Sequence, residues 1–104
     1  SGQRETNARK SGSVCDALLS ETPGALTFAI NKPRLAGIGV ISDDEAMDAV
    51  RFAFETLQLV VEPGGAAALA ALLSGKIDTG GGTIIVVLTG GNVDPGVFAR
   101  AIGA

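Results

Sequence analysis

The chain has 104 residues, a net charge of −3 and 46% hydrophobic residues, with a mean hydropathy of +0.38. Its basic residues are scattered and its 4 aromatic residues are all Phe, which argues against nucleic acid as a partner. Histidine is absent, which excludes His-ligated metals, a histidine general base and Ser-His or Cys-His nucleophiles.

So much apolar content on so short a chain sets a further expectation. A small domain buries only a modest share of its surface. Part of the apolar surface should therefore face a second subunit or further polypeptide. The apolar runs fall short of a membrane span, and the polar start shows no signal peptide. The single cysteine, Cys15, allows no internal disulfide and fits a reducing, cytoplasmic setting. It reads as a small buried side chain, since a catalytic thiol wants a basic partner.

Ser1 to Gly12 is polar with no clear apolar face; its charged middle is compatible with a helix. Ser13 to Leu19 is a short apolar patch, and Thr22-Pro23-Gly24 signals a turn. Leu26 to Ile30 reads as extended, broken by Asn31-Lys32-Pro33. Residues 1–35 thus form an irregular or helical lead-in.

Regular structure is expected from Ala36 onwards. Gly37 to Ile41 reads as a strand. Ser42-Asp43-Asp44-Glu45 then supplies a capping box, in which Ser42 accepts from the Glu45 backbone and Glu45 reaches back. Met47, Val50, Phe54 and Leu57 recur at helical spacing, with Ala46 and Ala53 on the same side, and the helix ends near Thr56 or Leu57. Gln58 to Val61 reads as a short buried strand. Pro63 suits a first helical turn, where its missing N–H is no loss. Ala66 to Leu73 is apolar all round, as in a helix packed on most sides, and Gly75 is a stop signal. Ser74 to Gly82 connects to Thr83 to Leu88, a β-branched and aliphatic run that reads as a strand buried on both faces. Asp94 as cap and Pro95 open a last helix with Val97, Phe98 and Ile102 as its apolar face.

This alternation predicts an α/β fold: a single domain, βαβαβα over residues 36–104, in a three-layer open sheet with parallel strands. The topology sorts the polar candidates. Ser42, Glu62 and Thr89 each end a strand and share the carboxyl edge, where open α/β sheets place ligands. Gly80-Gly81-Gly82 enters a strand at the opposite edge, so it reads as a linker rather than a phosphate loop. Thr89-Gly90-Gly91-Asn92 is either a tight turn or the lining of a small-molecule site, and on the glycines alone the turn is preferred. Glu62 lies between an apolar strand and an apolar helix. Burial there raises a carboxyl pKa while the helix N-terminus favours the carboxylate. It reads equally as a capping carboxylate or a site residue, and the shared edge with Thr89 favours the site.

Glu62-Pro63-Gly64-Gly65-Ala66, an Ala/Leu helix, and then Leu88-Thr89-Gly90-Gly91-Asn92-Val93-Asp94 resemble the C-terminal part of serine/threonine dehydratases and serine racemases. These are pyridoxal-phosphate enzymes of the tryptophan-synthase-β type, fold type II. Ser13 to Asn31 and Ile41 to Glu45 also look like that family, so the resemblance covers nearly the whole chain. It implies that the chain is part of the large domain of such an enzyme. It implies that Thr89, where relatives usually have Ser, offers its hydroxyl to the cofactor's pyridine nitrogen. A neutral hydroxyl gives a milder electron sink than an aspartate, which suits elimination from an amino acid. Gly90 and Gly91 would let the backbone approach the ring, Asn92 would brace the loop, and Glu62 would lie near the cofactor. Gly64 stands where many relatives have Ser or Thr.

The departures matter as much. The family's Schiff-base lysine, its phosphate loop and its substrate-carboxylate loop lie upstream in motifs this chain does not contain. None of Lys10, Lys32 or Lys76 matches that lysine. No catalytic residue and no metal ligand is carried over. The resemblance implies a piece of a pyridoxal-phosphate ammonia-lyase that is inactive alone and binds no cofactor by itself. The complete enzyme would convert a hydroxy-amino acid to a 2-keto acid and ammonia. The competing reading is a stand-alone structural or interaction module that kept the fold and lost the chemistry. The expected partner is a second copy, as a dimer, or the missing enzyme portion, with no nucleic acid and no membrane.

Overall fold

A computed structural model describes residues 1–8 and 12–104. Lys10 and the central part of the polar lead-in lie outside the described residues. The ordered body is three helices against one another. Helix α1 spans Ala25–Asn31, α2 Asp43–Leu57, α3 Ala67–Leu73 and α4 Pro95–Ile102; α2 packs on both α3 and α4. Short 3₁₀ turns cover Asp16–Leu18, Lys32–Arg34 and Gly64–Ala66.

Helix α2 forms as its sequence dictates. The Ser42 hydroxyl accepts from the Glu45 N–H at 3.1 Å, and the Glu45 carboxylate accepts from the Ser42 N–H at 2.8 Å. Three acidic residues in the first turn suit the positive end of the helix dipole. The helix ends in a left-handed residue, but that residue is Gln58, at φ 60°, not a glycine. The predicted strand from Gln58 therefore starts with a helix terminator. The buried stripe of α2 is Ala46, Ala49, Val50 and Ala53. Phe54 and Leu57, expected in that stripe, are 38% and 43% exposed. The face is centred on the smallest side chains, and these let α3 and α4 approach closely. Phe54 still meets Phe98 of α4 edge to face, with ring centroids 5.2 Å apart. Arg51 donates to the carbonyl of Ala101 at 2.9 Å, answering a free carbonyl at the end of α4.

The core gathers Val50, Val61, Leu69 and the alanines at 49, 53, 66, 70 and 101, with Ile41, Met47, Phe52, Val86, Leu88 and Phe98 at its margin. Among the described residues Val50 is the one large, fully buried side chain. Helix α3 begins one residue later than expected, after the 3₁₀ turn, and buries Leu69, Ala70 and Ala71. Leu73 is 48% exposed, so α3 is bare on one side rather than packed on most. Gly75 follows at φ 71° and closes the helix as a left-handed residue. Asp94 caps α4 by accepting from Val97 N–H at 3.0 Å, and Pro95 takes the first position.

Two further sequence expectations are corrected. Leu26 to Ile30 is helical, not extended: Gly24 sets the start, its carbonyl accepting from Phe28 N–H at 2.9 Å and from the Thr27 hydroxyl at 3.0 Å. Pro33, read as the break of that run, comes only after the last turn of α1. Thr83 to Leu88 is packed on one side only. Val86 and Leu88 touch the core, while Ile85 is 89% and Val87 64% exposed.

Among the described residues none is assigned to a β-strand, so the parallel sheet is not formed within this chain. The three runs expected as strands lack a ladder of mutual hydrogen bonds among the described residues. Ile38 and Val40 of the first run are 82% and 78% exposed, and Leu59 and Val60 of the second are 46% and 48% exposed. The radius of gyration is 14.6 Å, against about 13 Å for a compact domain of this length. The accessible surface is 7194 Å², whereas a folded monomer of 10.4 kDa exposes roughly 5,400 Å². Among the described residues no helix is long and apolar enough to cross a membrane.

Candidate functional site

The candidate site is built where the Val61–Ala66 segment meets the end of the Thr83–Leu88 run. Its frame is two main-chain hydrogen bonds. Glu62 N–H donates to the Gly90 carbonyl at 2.8 Å, and Thr89 N–H donates to the Gly65 carbonyl at 3.2 Å. The 3₁₀ turn between them is closed by Ala66 N–H, shared between the carbonyls of Glu62 at 3.0 Å and Pro63 at 3.1 Å. Two segments far apart in the sequence are thereby held as one unit.

Side-chain contact follows from this frame. The Glu62 carboxylate lies directly against Gly90, so that a Cβ on Gly90 would sit 2.3 Å from Glu62 Oε1. Gly90 is at φ 69°, a left-handed conformation that costs an ordinary residue about 1–2 kcal/mol. Glycine is thus required at 90 twice over, for the backbone and for the room. Gly91 runs beside the Val60 carbonyl, and Val93 N–H closes a small turn onto the Gly91 carbonyl at 3.0 Å. The next residue is the α4 cap, Asp94.

Glu62, Asn92 and Asp94 share a small cavity of about 40 Å³ with Val14, Asp16 and Pro63. That volume suits a water molecule, not a larger ligand. Thr89, Gly90, Gly91 and Asn92 are exposed beside it. Among the described residues the Thr89 hydroxyl has no hydrogen-bond partner. An unengaged hydroxyl beside two side-chain-free residues, open to solvent, fits the edge of a flat heteroaromatic ring. The residues present would thus fit the ring edge of pyridoxal phosphate.

The five sequence-derived candidates, Glu62, Thr89, Gly90, Gly91 and Asn92, fall at this one place. Gly80, Gly81 and Gly82 do not line that cavity, and a Cβ on any of them would meet nothing within 4 Å beyond its chain neighbours. Neither described lysine is at the site, since Lys32 donates to the Gly2 carbonyl at 2.6 Å and Lys76 pairs with Glu45 at 3.5 Å. Among the described residues no cluster of three or more acidic or cysteine side chains is arranged to hold a metal ion.

Two features escape a reading of the sequence. The lead-in reaches the site: Ser13 donates its hydroxyl to Asp43 Oδ1 at 2.6 Å, and Val14 N–H donates to Asp43 Oδ2 at 3.2 Å. This anchors Val14 and Asp16 beside Glu62, from the first turn of α2. Only the acid-rich start of α2 hints at such an anchor. Cys15 is buried here, as expected; burial pushes its thiol above the ordinary value, a hydrogen bond from Ser13 opposes this, and Asp43 and Asp16 add to it. The thiol is held protonated, which suits packing and not nucleophilic attack. The second such feature is Gly65, whose close contact with Thr89 no spacing rule announces.

Comparison with known proteins sets these residues in context. Residues 1–90 match the model of a family described as pyridoxal-phosphate dependent enzymes. The L-threonine ammonia-lyase of Thermotoga maritima is 33% identical over 89 residues, covering 86% of this chain and 22% of that protein. The serine racemase of Dictyostelium discoideum is 32% identical over 87 residues, covering 82% of this chain and 26% of that protein. Among solved structures, the threonine deaminase of T.th. superposes with a TM-score of 0.79 at 30% identity, covering 89% of this chain and 31% of that one. The crystal structure of the Dictyostelium discoideum serine racemase gives 0.72 at 32% identity, covering 81% and 28%. The chain thus spans between about a fifth and a third of the length of the proteins it resembles.

Proposed function

Since the chain belongs to the family of pyridoxal-phosphate dependent enzymes, we propose that it serves as the C-terminal portion of the large domain of a threonine/serine dehydratase-like lyase. The observation that carries this reading is the pairing of Glu62 with the Thr89–Asn92 turn, held by two main-chain hydrogen bonds. When bound, pyridoxal phosphate supplies the electron sink for removing a proton and then a β-hydroxyl from an amino acid.

This chain's own part is to hold one edge of the ring. Thr89 offers a neutral hydroxyl to the ring nitrogen and leaves it unprotonated. Gly90 and Gly91 admit the ring to the backbone. Glu62 buttresses the turn from behind through Gly90, and Asn92 borders the cavity next to it. The single unit 1–104 would then be completed by the rest of the enzyme. The three extended runs carry apolar side chains that are mostly bare here, and they become parallel strands once neighbouring strands are supplied. The reducing cytoplasm suits the lone thiol.

The test uses two samples. In the complete enzyme carrying this segment, Thr89→Val is expected to shift the absorption band of the bound cofactor and weaken its binding, while Thr89→Ser leaves both nearly unchanged. Equal behaviour of the two variants would refute the role given to the hydroxyl. The 104-residue chain alone should show no saturable visible absorbance with pyridoxal phosphate that borohydride fixes at one lysine. Such a labelled lysine would refute the division of labour and favour an independent cofactor-binding module.

A further inference from the structure

Gly65 is not at the surface of the site. It is buried behind it, in the 3₁₀ turn that leads into α3. A Cβ built on it would fall 1.4 Å from the Thr89 carbonyl oxygen and 2.6 Å from the Thr89 carbonyl carbon, with the Gly90 oxygen 3.3 Å away. These are backbone atoms, which cannot swing aside as a side-chain tip can. Real Cβ atoms essentially never come closer than 3.0 Å, so any side chain at 65 must drive the two segments apart by about 1.6 Å. The same residue accepts the Thr89 N–H at 3.2 Å. Both peptide groups of Thr89 are therefore registered against Gly65, one by a hydrogen bond and one by van der Waals contact.

The neighbouring glycine shows that this is a property of the position. A Cβ on Gly64 would meet only the Leu18 and Ala17 side chains, at 3.4 Å and beyond, which is ordinary contact. Of two successive glycines in one turn, the first has room and the second has none.

We infer that Gly65 is the positioning residue for Thr89: its missing side chain sets the depth at which the Thr89 hydroxyl is presented to the cofactor's ring nitrogen. This rests on the reading of Thr89 given above. A reacting or binding group misplaced by about 1 Å can lose up to a hundredfold in effect, and the displacement forced here exceeds that. Helix α3 is tied to the site by the same contact, since Gly65 sits in the turn that starts it.

The experiment compares Gly65→Ala, Gly64→Ala, Thr89→Val and the Gly65→Ala/Thr89→Val double variant in the complete enzyme. Cofactor dissociation constant and the absorption band of the bound cofactor are read. Gly65→Ala is expected to weaken cofactor binding about tenfold or more and to shift the band in the direction that Thr89→Val shifts it. Gly64→Ala should leave both unchanged. In the double variant the band should move no further than with Thr89→Val alone, because residues acting through one contact are not additive. Additive shifts, or an unshifted band in Gly65→Ala, overturn the inference. An unshifted band in Thr89→Val instead overturns the reading of the hydroxyl. A second measurement needs no variant and guards against a Gly65→Ala protein that does not fold. In the unsubstituted 104-residue chain, the Thr89 amide should exchange slowly with solvent and show a scalar coupling across the hydrogen bond to the Gly65 carbonyl. A Thr89 amide exchanging at the free rate would overturn the registration itself.

Discussion

Adding one methyl group to Gly90 probes the contact on which the site depends. In Gly90→Ala two costs arise. The first is conformational: at φ 69° a side chain costs about 1–2 kcal/mol relative to glycine. The second is the collision with Glu62, whose Oε1, Cδ and Cγ lie 2.3, 2.8 and 3.1 Å from the new Cβ position. The carboxylate tip can swing outward, but the Cγ must follow, and leaving a staggered rotamer costs about 0.5–1.5 kcal/mol. The single variant should therefore lose roughly 2–3 kcal/mol. In a Glu62→Ala background the colliding atoms are gone and only the conformational cost remains. The two substitutions should couple by about 1 kcal/mol, in the sense that Glu62→Ala partly rescues Gly90→Ala. Urea unfolding of the four proteins of this cycle, followed by far-ultraviolet circular dichroism, measures the coupling. A value below about 0.3 kcal/mol, the level at which distant sites add, would refute the packing of Glu62 on Gly90 and remove the buttress from the proposed site.

Val50→Ala should cost about 2–3 kcal/mol in the same assay, since it empties the one large, fully buried side chain; a loss under about 0.5 kcal/mol would mean that α2 does not pack as described. The Glu45 carboxyl is held below the usual carboxylate range by the Ser42 N–H and then by Lys76. Its folded pKa is thus lower than its unfolded one, so its stabilising effect is complete above the unfolded value and fades as pH falls through the lowered folded value. Glu45→Gln should flatten that part of the acid limb, and an NMR titration placing Glu45 at an ordinary midpoint would contradict the capping geometry. Finally, the accessible surface exceeds that of a compact monomer by roughly 1,800 Å², about twice the ~800 Å² that one partner contributes to a standard protein interface. The isolated chain should self-associate at micromolar concentration, and Ile85→Lys should reduce this. A light-scattering mass of 10.4 kDa for the unsubstituted chain would contradict it.

The features legible in the sequence are those written in local chemistry. The capping box at Ser42, the Asp94-Pro95 start of α4 and the Gly75 stop each depend on a few adjacent residues, and each is found as read. The closeness of Glu62 to the Thr89–Asn92 turn is legible for a different reason. Glu62 and Thr89 each end an apolar run, and alternating elements bring such ends to one edge whatever the details of packing. The misreadings arise where a short pattern is ambiguous. Leu26, Phe28 and Ile30 alternate like a strand, but Pro23-Gly24 sets a helix start that outweighs alternation over so few residues. Gln58 carries no left-handed signal of the kind glycine gives, so the end of α2 reads as the start of a strand. Gly65 is legible only in three dimensions, because the atom that excludes its side chain belongs to Thr89, far along the chain.

The strands are the instructive case. Apolar, β-branched runs seek burial on two faces, but burial on two faces needs neighbours on both. The core of this chain covers one side of Thr83 to Leu88, through Val86 and Leu88, and leaves Ile85 and Val87 bare. A ladder is the usual way for such a segment to satisfy its peptide groups away from water. Bare apolar runs without a ladder, next to a turn already held by Glu62 and Gly65, separate two requirements. The turn that would present Thr89 to a cofactor is set by contacts inside these 104 residues. The sheet that would carry that turn requires strands from beyond them. On this reasoning, supplying the preceding portion of the enzyme as a separate chain should protect the amides of Ile85 and Val87 from exchange, while the Thr89 amide, already bonded to Gly65, should change little. Unchanged exchange at Ile85 and Val87 in the presence of that portion would mean that the third run finds no neighbouring strand.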